Sequence, residues 1–299
     1  MLQLFYAEWI KIVGNRWRAA FLLWIFPVGT LAFVIVIATL LAIAPLFTDA
    51  DVTGEMDMDH LNWADQAISA WSVPTNLFGR MLVLGLASLV FAGEYQWQTL
   101  KMVVPHAHRA KLVVIKFVAI AFAIIVAFTL MSLILMVGAF IFAAVGGGDI
   151  GPKVTGAALA QFGEEYLQKA SLAFMLAIVS ANFAALTAML TRSVLGGMLV
   201  GVFFTFIEGL SVVGLVLVAH LFDQPRLVYL YRLTPSYNVD NINSWLNNNR
   251  PTTDNQALQQ LTELFDFADD IYFSTVILAM WVVGLVALTA YLFHKQDLT

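Results

Sequence analysis

Cysteine is absent from all 299 residues. That absence excludes disulfide staples, thiolate metal sites and cysteine nucleophiles, while leaving the compartment open. Charge is scarce as well: 12% of residues are Asp, Glu, Lys or Arg, against 61% hydrophobic, with a mean hydropathy of +0.83. A soluble globular domain carries roughly 25% charged residues, so this chain falls among polytopic membrane proteins. The apolar runs also lack period-two alternation, which argues against a transmembrane barrel and for helices. Proline is rare, and in the first run Pro27 and Pro45 fall near its two ends, where a helix tolerates or terminates on them.

A helix needs about 20 mainly apolar residues to cross about 30 Å of hydrocarbon. Six runs qualify, at residues 21–47, 73–92, 117–145, 167–190, 194–221 and 273–293. The expected fold is therefore an all-α polytopic membrane protein with six transmembrane helices. The first run is longer than a signal-peptide core of about 7–15 residues and lacks a small-residue cleavage pattern, so it is expected to stay in the mature chain.

Orientation follows from basic residues. With both termini on one side, that side holds Lys11, Arg16, Arg18, Lys101, Arg109, Lys111, Lys116, Arg192 and Lys295. The other holds Lys153, Lys169, Arg226, Arg232 and Arg250. The positive-inside bias then places both termini in the cytoplasm of a plasma (inner) membrane protein. The acids agree, with Asp49, Asp51, Glu55, Asp57, Asp59 and Asp65 falling outside. The net charge of −5 is a sum over two opposite faces, and no nucleic acid partner is expected.

Residues 1–18 read as an amphipathic interfacial helix. Leu2, Phe5, Tyr6, Trp9, Ile10, Val13 and Trp17 recur at three- and four-residue steps, with Gln3, Glu8, Lys11, Asn15 and Arg18 mostly elsewhere. Residues 49–72 form a polar outer loop, and 146–165, opened by Gly146, Gly147 and Gly148, a second and flexible one. Thr191, Arg192 and Ser193 make a turn short enough that the fourth and fifth spans must be antiparallel neighbours. The largest outer piece, residues 222–272, is expected to cap the bundle, with Leu258, Leu261, Phe265 and Ala268 on one helical stripe.

Several tempting motifs fail on chemistry. A phosphate-binding loop needs G-x-x-x-x-G-K-[ST], and Gly146 to Gly151 is followed by Pro152 where the lysine should stand. The Glu164–Glu165 pair is similar to the paired glutamates of intramembrane CAAX-type proteases, which also need histidines within later spans. His220 is the one histidine near a later outer rim; His60 is in an outer loop, and His106, His108 and His294 fall on the inner side. Gly197 and Gly201 form a G-x-x-x-G that favours close helix packing inside the chain over a dimer contact. Arg80 and Glu208 are the two charges within spans, each costing roughly 2.5–3.5 kcal/mol at mid-span if unpaired. They either pair across spans two and five, line a pathway, or sit at shallow depth.

The segment 93–116 is a basic insert between two spans. Glu94, Thr99 and Lys101 continue the second span without a breaker, Pro105 interrupts the helix, and Arg109, Lys111 and Lys116 lead back to the headgroups. Its pattern E-x-x-x-x-T-L-K (Glu94, Thr99, Leu100, Lys101), then Pro105, Arg109 and Lys116, resembles the cytoplasmic loop of ABC-2 type transporter permeases. The opening AEWIK, Ala7 to Lys11, and the late Phe293, Lys295, Asp297 and Leu298 are similar to the two ends of those permeases.

The resemblance implies one permease domain over 1–299, with 1–18 as a connecting helix, 93–116 as a coupling loop and 222–272 as an extracytoplasmic cap. It implies a dimer with a second copy or homologue that forms the export pathway in the lipid bilayer. Separate cytoplasmic ABC ATPase subunits, which bring ATP and Mg, would dock near Glu94, Thr99, Leu100, Lys101, Pro105 and Arg109. No residue of this chain is expected to catalyse a reaction or hold a metal. The rival readings are a non-transport scaffold or sensor and, disfavoured by the lack of an inverted repeat, a secondary transporter.

Overall fold

The computed structural model describes residues 2–43, 61–96, 109–146, 148–251 and 269–295. The first helix, α1 (Leu2–Val13), is separated from α2 (Arg16–Ile43) by a turn at Asn15. The Asn15 side chain accepts from the amides of Trp17 and Arg18, capping amides that the new helix leaves open. One π turn, Ala20–Trp24, lies within α2. A short helix α3 (Trp63–Ser69) runs through a 3-10 turn, Ala70–Thr75, into α4 (Leu77–Gln96).

Two long helices follow, α5 (Arg109–Gly146) and α6 (Gly156–Thr191). The 38 residues of α5 span about 57 Å at about 1.5 Å per residue, well beyond the hydrocarbon layer. Its far end is covered by α3, where Trp63 packs with Ala139 and Phe162 and donates from its indole to the Pro152 carbonyl at 2.8 Å. Two-residue strands β1 (Leu61–Asn62) and β2 (Ile150–Gly151) pair in parallel at this end, a small departure from an all-helical chain. The second outer connection is shorter than the sequence suggested, because Thr155 caps α6 at Gly156. Glu164 and Glu165 therefore lie on a helix, where Glu165 accepts from Gln161 one turn earlier.

The turn after α6 uses Arg192 in the left-handed conformation, φ 52°, and Ser193 caps α7 (Val194–Gly209). The expectation of one continuous fifth span over 194–221 is corrected here. The run is two helices, α7 and α8 (Ser211–Leu221), bent by 68° at Leu210. Hydropathy misses the break because Gly209 and Leu210 read as apolar, while glycine is a poor helix residue and the Ser211 hydroxyl takes the Glu208 carbonyl at 2.6 Å. After α8 a 3-10 stretch, Pro225–Leu233, returns along it, and α9 (Pro235–Asn248) leads toward α10 (Ile271–Lys295). The expected stripe of Leu258, Leu261, Phe265 and Ala268 lies outside the described residues.

Among the described residues, five helices are long and apolar enough to cross a membrane, six if the bent pair counts as one crossing. This is consistent with a multi-pass α-helical membrane protein. The centre is α4 and α6: the most apolar window of each is 72% buried, against 22% for α2 and α10, whose apolar faces point out of the protein. Small residues let the central helices approach. A Cβ on Gly197 would collide with the Cβ of Ala188 and come within 2.7 Å of its Cα, and one on Gly201 would meet Leu84 at 2.7 Å. The G-x-x-x-G of α7 is thus spent on α6 and α4 within the chain.

Candidate functional site

Two buried charge clusters mark opposite ends of the bundle. At the α1 end, Glu8 and Glu94 are 3% and 4% exposed, and Lys116 is 5% exposed. Lys11 reaches Glu8 at 2.5 Å and Glu94 at 2.8 Å, while Lys116 reaches Glu8 at 3.2 Å and Glu94 at 3.0 Å. Each carboxylate thus bridges both ammonium groups. Lys116 also donates to the Val90 carbonyl at 3.2 Å, and buried Arg18 lies in the field of both acids.

The cluster exists because α1 has two working faces. Phe5 and Trp9 pack edge-on against Phe122 of α5, with ring centres 5.7 and 4.9 Å apart, and Ile12 is fully buried. Glu8 lies one turn from both Phe5 and Ile12, so this inner face carries it to α4 and α5. Leu2, Tyr6, Ile10, Val13 and Trp17 are exposed on the other face, a surface suited to the headgroup layer. Burial by itself would lower the pKa of Lys11, but its bonds to Glu8 and Glu94 outweigh that and the value is raised above 10.5. The resulting stabilisation is present below 10.5 and is lost as pH rises past the higher folded value.

Of the residues expected to meet an ATPase, Glu94 faces inward and is engaged by Lys11 and Lys116. Arg109, half-buried at the start of α5, donates to the His294 carbonyl of α10 at 3.0 Å. Thr99, Leu100, Lys101 and Pro105 lie outside the described residues. Glu8, Lys11 and Lys116 were not singled out as partners of Glu94, being 108 residues apart in one pair and 83 in another. The available signal was the placement of Glu8 on the Phe5–Ile12 face of an amphipathic helix.

At the opposite end, Arg80 and Glu208 form an ion pair at 2.5 Å. They do not sit at mid-helix: Arg80 is in the first turn of α4, and Glu208 in the last turn of α7, next to the bend. Arg80 also donates to Ser180 of α6 at 3.0 Å. The second oxygen of Glu208 accepts from the Ser236 amide at 2.9 Å and its hydroxyl at 2.7 Å. A carboxylate at a helix C-terminus opposes the helix dipole, and here a guanidinium and the start of α9 compensate it. Further along, Asp269 accepts from Arg232 and Tyr237, and its carbonyl accepts from Asn241 and Trp245, fastening α9 to the start of α10.

Above the Arg80 pair opens a cavity of about 470 Å³ between α3 with its 3-10 turn, α6 and α9. Arg80 is at its floor, Trp71, Leu172, Leu176 and Val239 supply apolar wall, and Lys169, Asp240 and Asn243 stand around it. Asp240 keeps solvent access through the cavity, yet protein crowds it elsewhere. That burial, and then the charge of Glu208, raises its carboxyl to about 6. Comparison with protein-family models, curated proteins and solved structures finds no match for this chain.

Proposed function

We propose that this chain is the membrane subunit of an ABC-2 type exporter, working as a dimer and driven by separate cytoplasmic ATPase subunits that bind ATP and Mg. The observation that carries the reading is the four-charge clamp at the α1 end. It ties α1 to the end of α4 and the start of α5, the two helices that residues 97–108 connect in the sequence. A displacement applied to that connection would be delivered to α1, α4 and α5 together, because separating any of them exposes a buried charge. Leaving one member of such a pair unmatched costs about 3–5 kcal/mol, a strong constraint against independent motion. Mechanical work at this end can bias two conformations of the bundle only through contacts that differ between them, and the 68° bend at the far end is where this fold departs from rigid rods. In this reading the α1 end is cytoplasmic, α1 is the connecting helix, and residues 222–272 cap the exit.

The test is affinity purification of the chain from its native membrane. A nucleotide-binding ATPase is expected to co-purify, and Glu94→Gln with Arg109→Ala is expected to abolish its association or the coupling of ATP hydrolysis to transport. Purification without any ATPase, or an unchanged complex with intact transport, would remove the proposal and leave a scaffold or sensor as the better reading.

A further inference from the structure

The cavity above Arg80 has an uneven chemistry that the exporter reading does not use. Ser69, Ser72 and Thr75 line it at three-residue steps, and most of that wall is a 3-10 turn, in which residues three apart superpose. Each hydroxyl gives its one proton to a backbone carbonyl: Ser69 to Gln66 at 2.7 Å, Ser72 to Ser69 at 2.6 Å and Thr75 to Ser72 at 2.7 Å. What remains on each oxygen is lone pairs, so the row can only accept. Asp240, on the α9 side, adds a carboxylate that has no hydrogen bond or ion pair among the described residues.

The opposite polarity comes from Lys169 on α6. Its single contact among the described residues is a long one, 3.4 Å to the Asn243 side-chain oxygen, which leaves most of its donor capacity unspent. Arg80 below is neutralised by Glu208. The cavity therefore offers acceptors on its α3 and α9 sides, a cation on its α6 side and an apolar wall with Trp71. At about 470 Å³ it falls within the range of small-molecule sites, about 300–1,000 Å³.

We propose that this vestibule binds a zwitterion, with a primary ammonium received by Asp240 and the Ser69, Ser72 and Thr75 oxygens and an oxyanion received by Lys169. An ethanolamine phospholipid headgroup and a free amino acid or short peptide share this chemistry. The proposal stands apart from the exporter reading, since binding needs neither an ATPase nor transport. It carries a pH dependence. The charge of Glu208 from α7 acts on Asp240, Arg80 from α4 and Lys169 from α6 line the same cavity, and protonation of Asp240 as pH falls through about 6 removes the ammonium partner.

The experiment uses the full chain in phosphatidylcholine nanodiscs. Calorimetric titration with soluble phosphoethanolamine and with dialanine is compared with native mass spectrometry of lipid retained from nanodiscs containing phosphatidylethanolamine. Saturable binding in the soluble arms assigns a free zwitterion, and selective lipid retention assigns the headgroup. In either case Asp240→Asn and Lys169→Gln, each with an unchanged melting temperature, should weaken binding at least about tenfold, a change of about 1.4 kcal/mol. Lowering the pH from 7.5 to 5, a range over which dialanine keeps both charges, should weaken dialanine binding by the unmodified chain but not by Asp240→Asn. Equal binding of phosphocholine, which has no ammonium proton to donate, would overturn the proposal. So would unchanged affinity in both variants, or no binding in any arm.

Discussion

At the scale of residues, the two charge clusters are the costliest features and the most informative. Arg80 and Glu208 are buried at 5% and 4% exposure, so their attraction is offset by lost hydration, while removal of one partner strands the other. Arg80→Gln is expected to lower stability by about 3–5 kcal/mol, read as a clear fall in the detergent melting temperature. The charge-swapped pair, Arg80→Glu with Glu208→Arg, should recover only part of that loss. The Ser236 amide and hydroxyl now donate to Glu208, and a guanidinium at position 208 would face those donors. Full recovery would show that the ion pair acts alone and that the bond to α9 carries little. The sequence exposed these two residues because charge inside an apolar run is conspicuous. It was silent on Ser236, an ordinary serine 28 positions later.

At the scale of elements, helix existence was legible and helix continuity was not. The six apolar runs correspond to helices, but 194–221 breaks at Leu210, where side-chain and hydroxyl bonding, and not polarity, decides. Likewise α5 and α6 run beyond their apolar stretches, since a helix continues past the hydrocarbon wherever caps and packing sustain it. The close contact of α7 with α6 gives a sharp test. Gly197→Leu must displace α7, because even a Cβ collides with Ala188, and overpacking of this kind costs about 1–3 kcal/mol or more. Gly214→Ala, where a Cβ meets nothing within 4 Å, is the matched control and should melt close to the unmodified chain. A Gly197→Leu protein with unchanged melting would place the α6–α7 contact in doubt.

At the scale of the whole molecule, the bundle has a clamped end and an open end. The clamped end gathers α1, Glu94, Lys116 and the Arg109–His294 contact, and the open end holds the bend, the vestibule and the Asp269 fastening. The basic residues of the sequence crowd toward the clamped end, and under the positive-inside bias the proposed reading puts that end on the cytoplasmic side. Because the chain has no native cysteine, single-cysteine labelling has no background. In intact cells a membrane-impermeant maleimide should label Asn248→Cys and spare Lys295→Cys until the membrane is opened. The reverse pattern would invert the topology and with it the proposed direction of coupling.

Composition and run length by themselves determined that this chain is helical, apolar and long enough to cross a bilayer several times, because transfer of side chains into hydrocarbon is a sum over local sequence. The amphipathic character of α1 and the isolation of Arg80 and Glu208 were equally local. Only the tertiary structure decided which face of α1 is buried, that Glu94 belongs to a clamp of four charges, that Arg80 meets Glu208, and that a polar cavity lies above them. Those facts depend on contacts between residues as much as 128 positions apart. They are fixed by the close approach of helices and the need to pair buried charge, and neither is written in any one stretch of the chain.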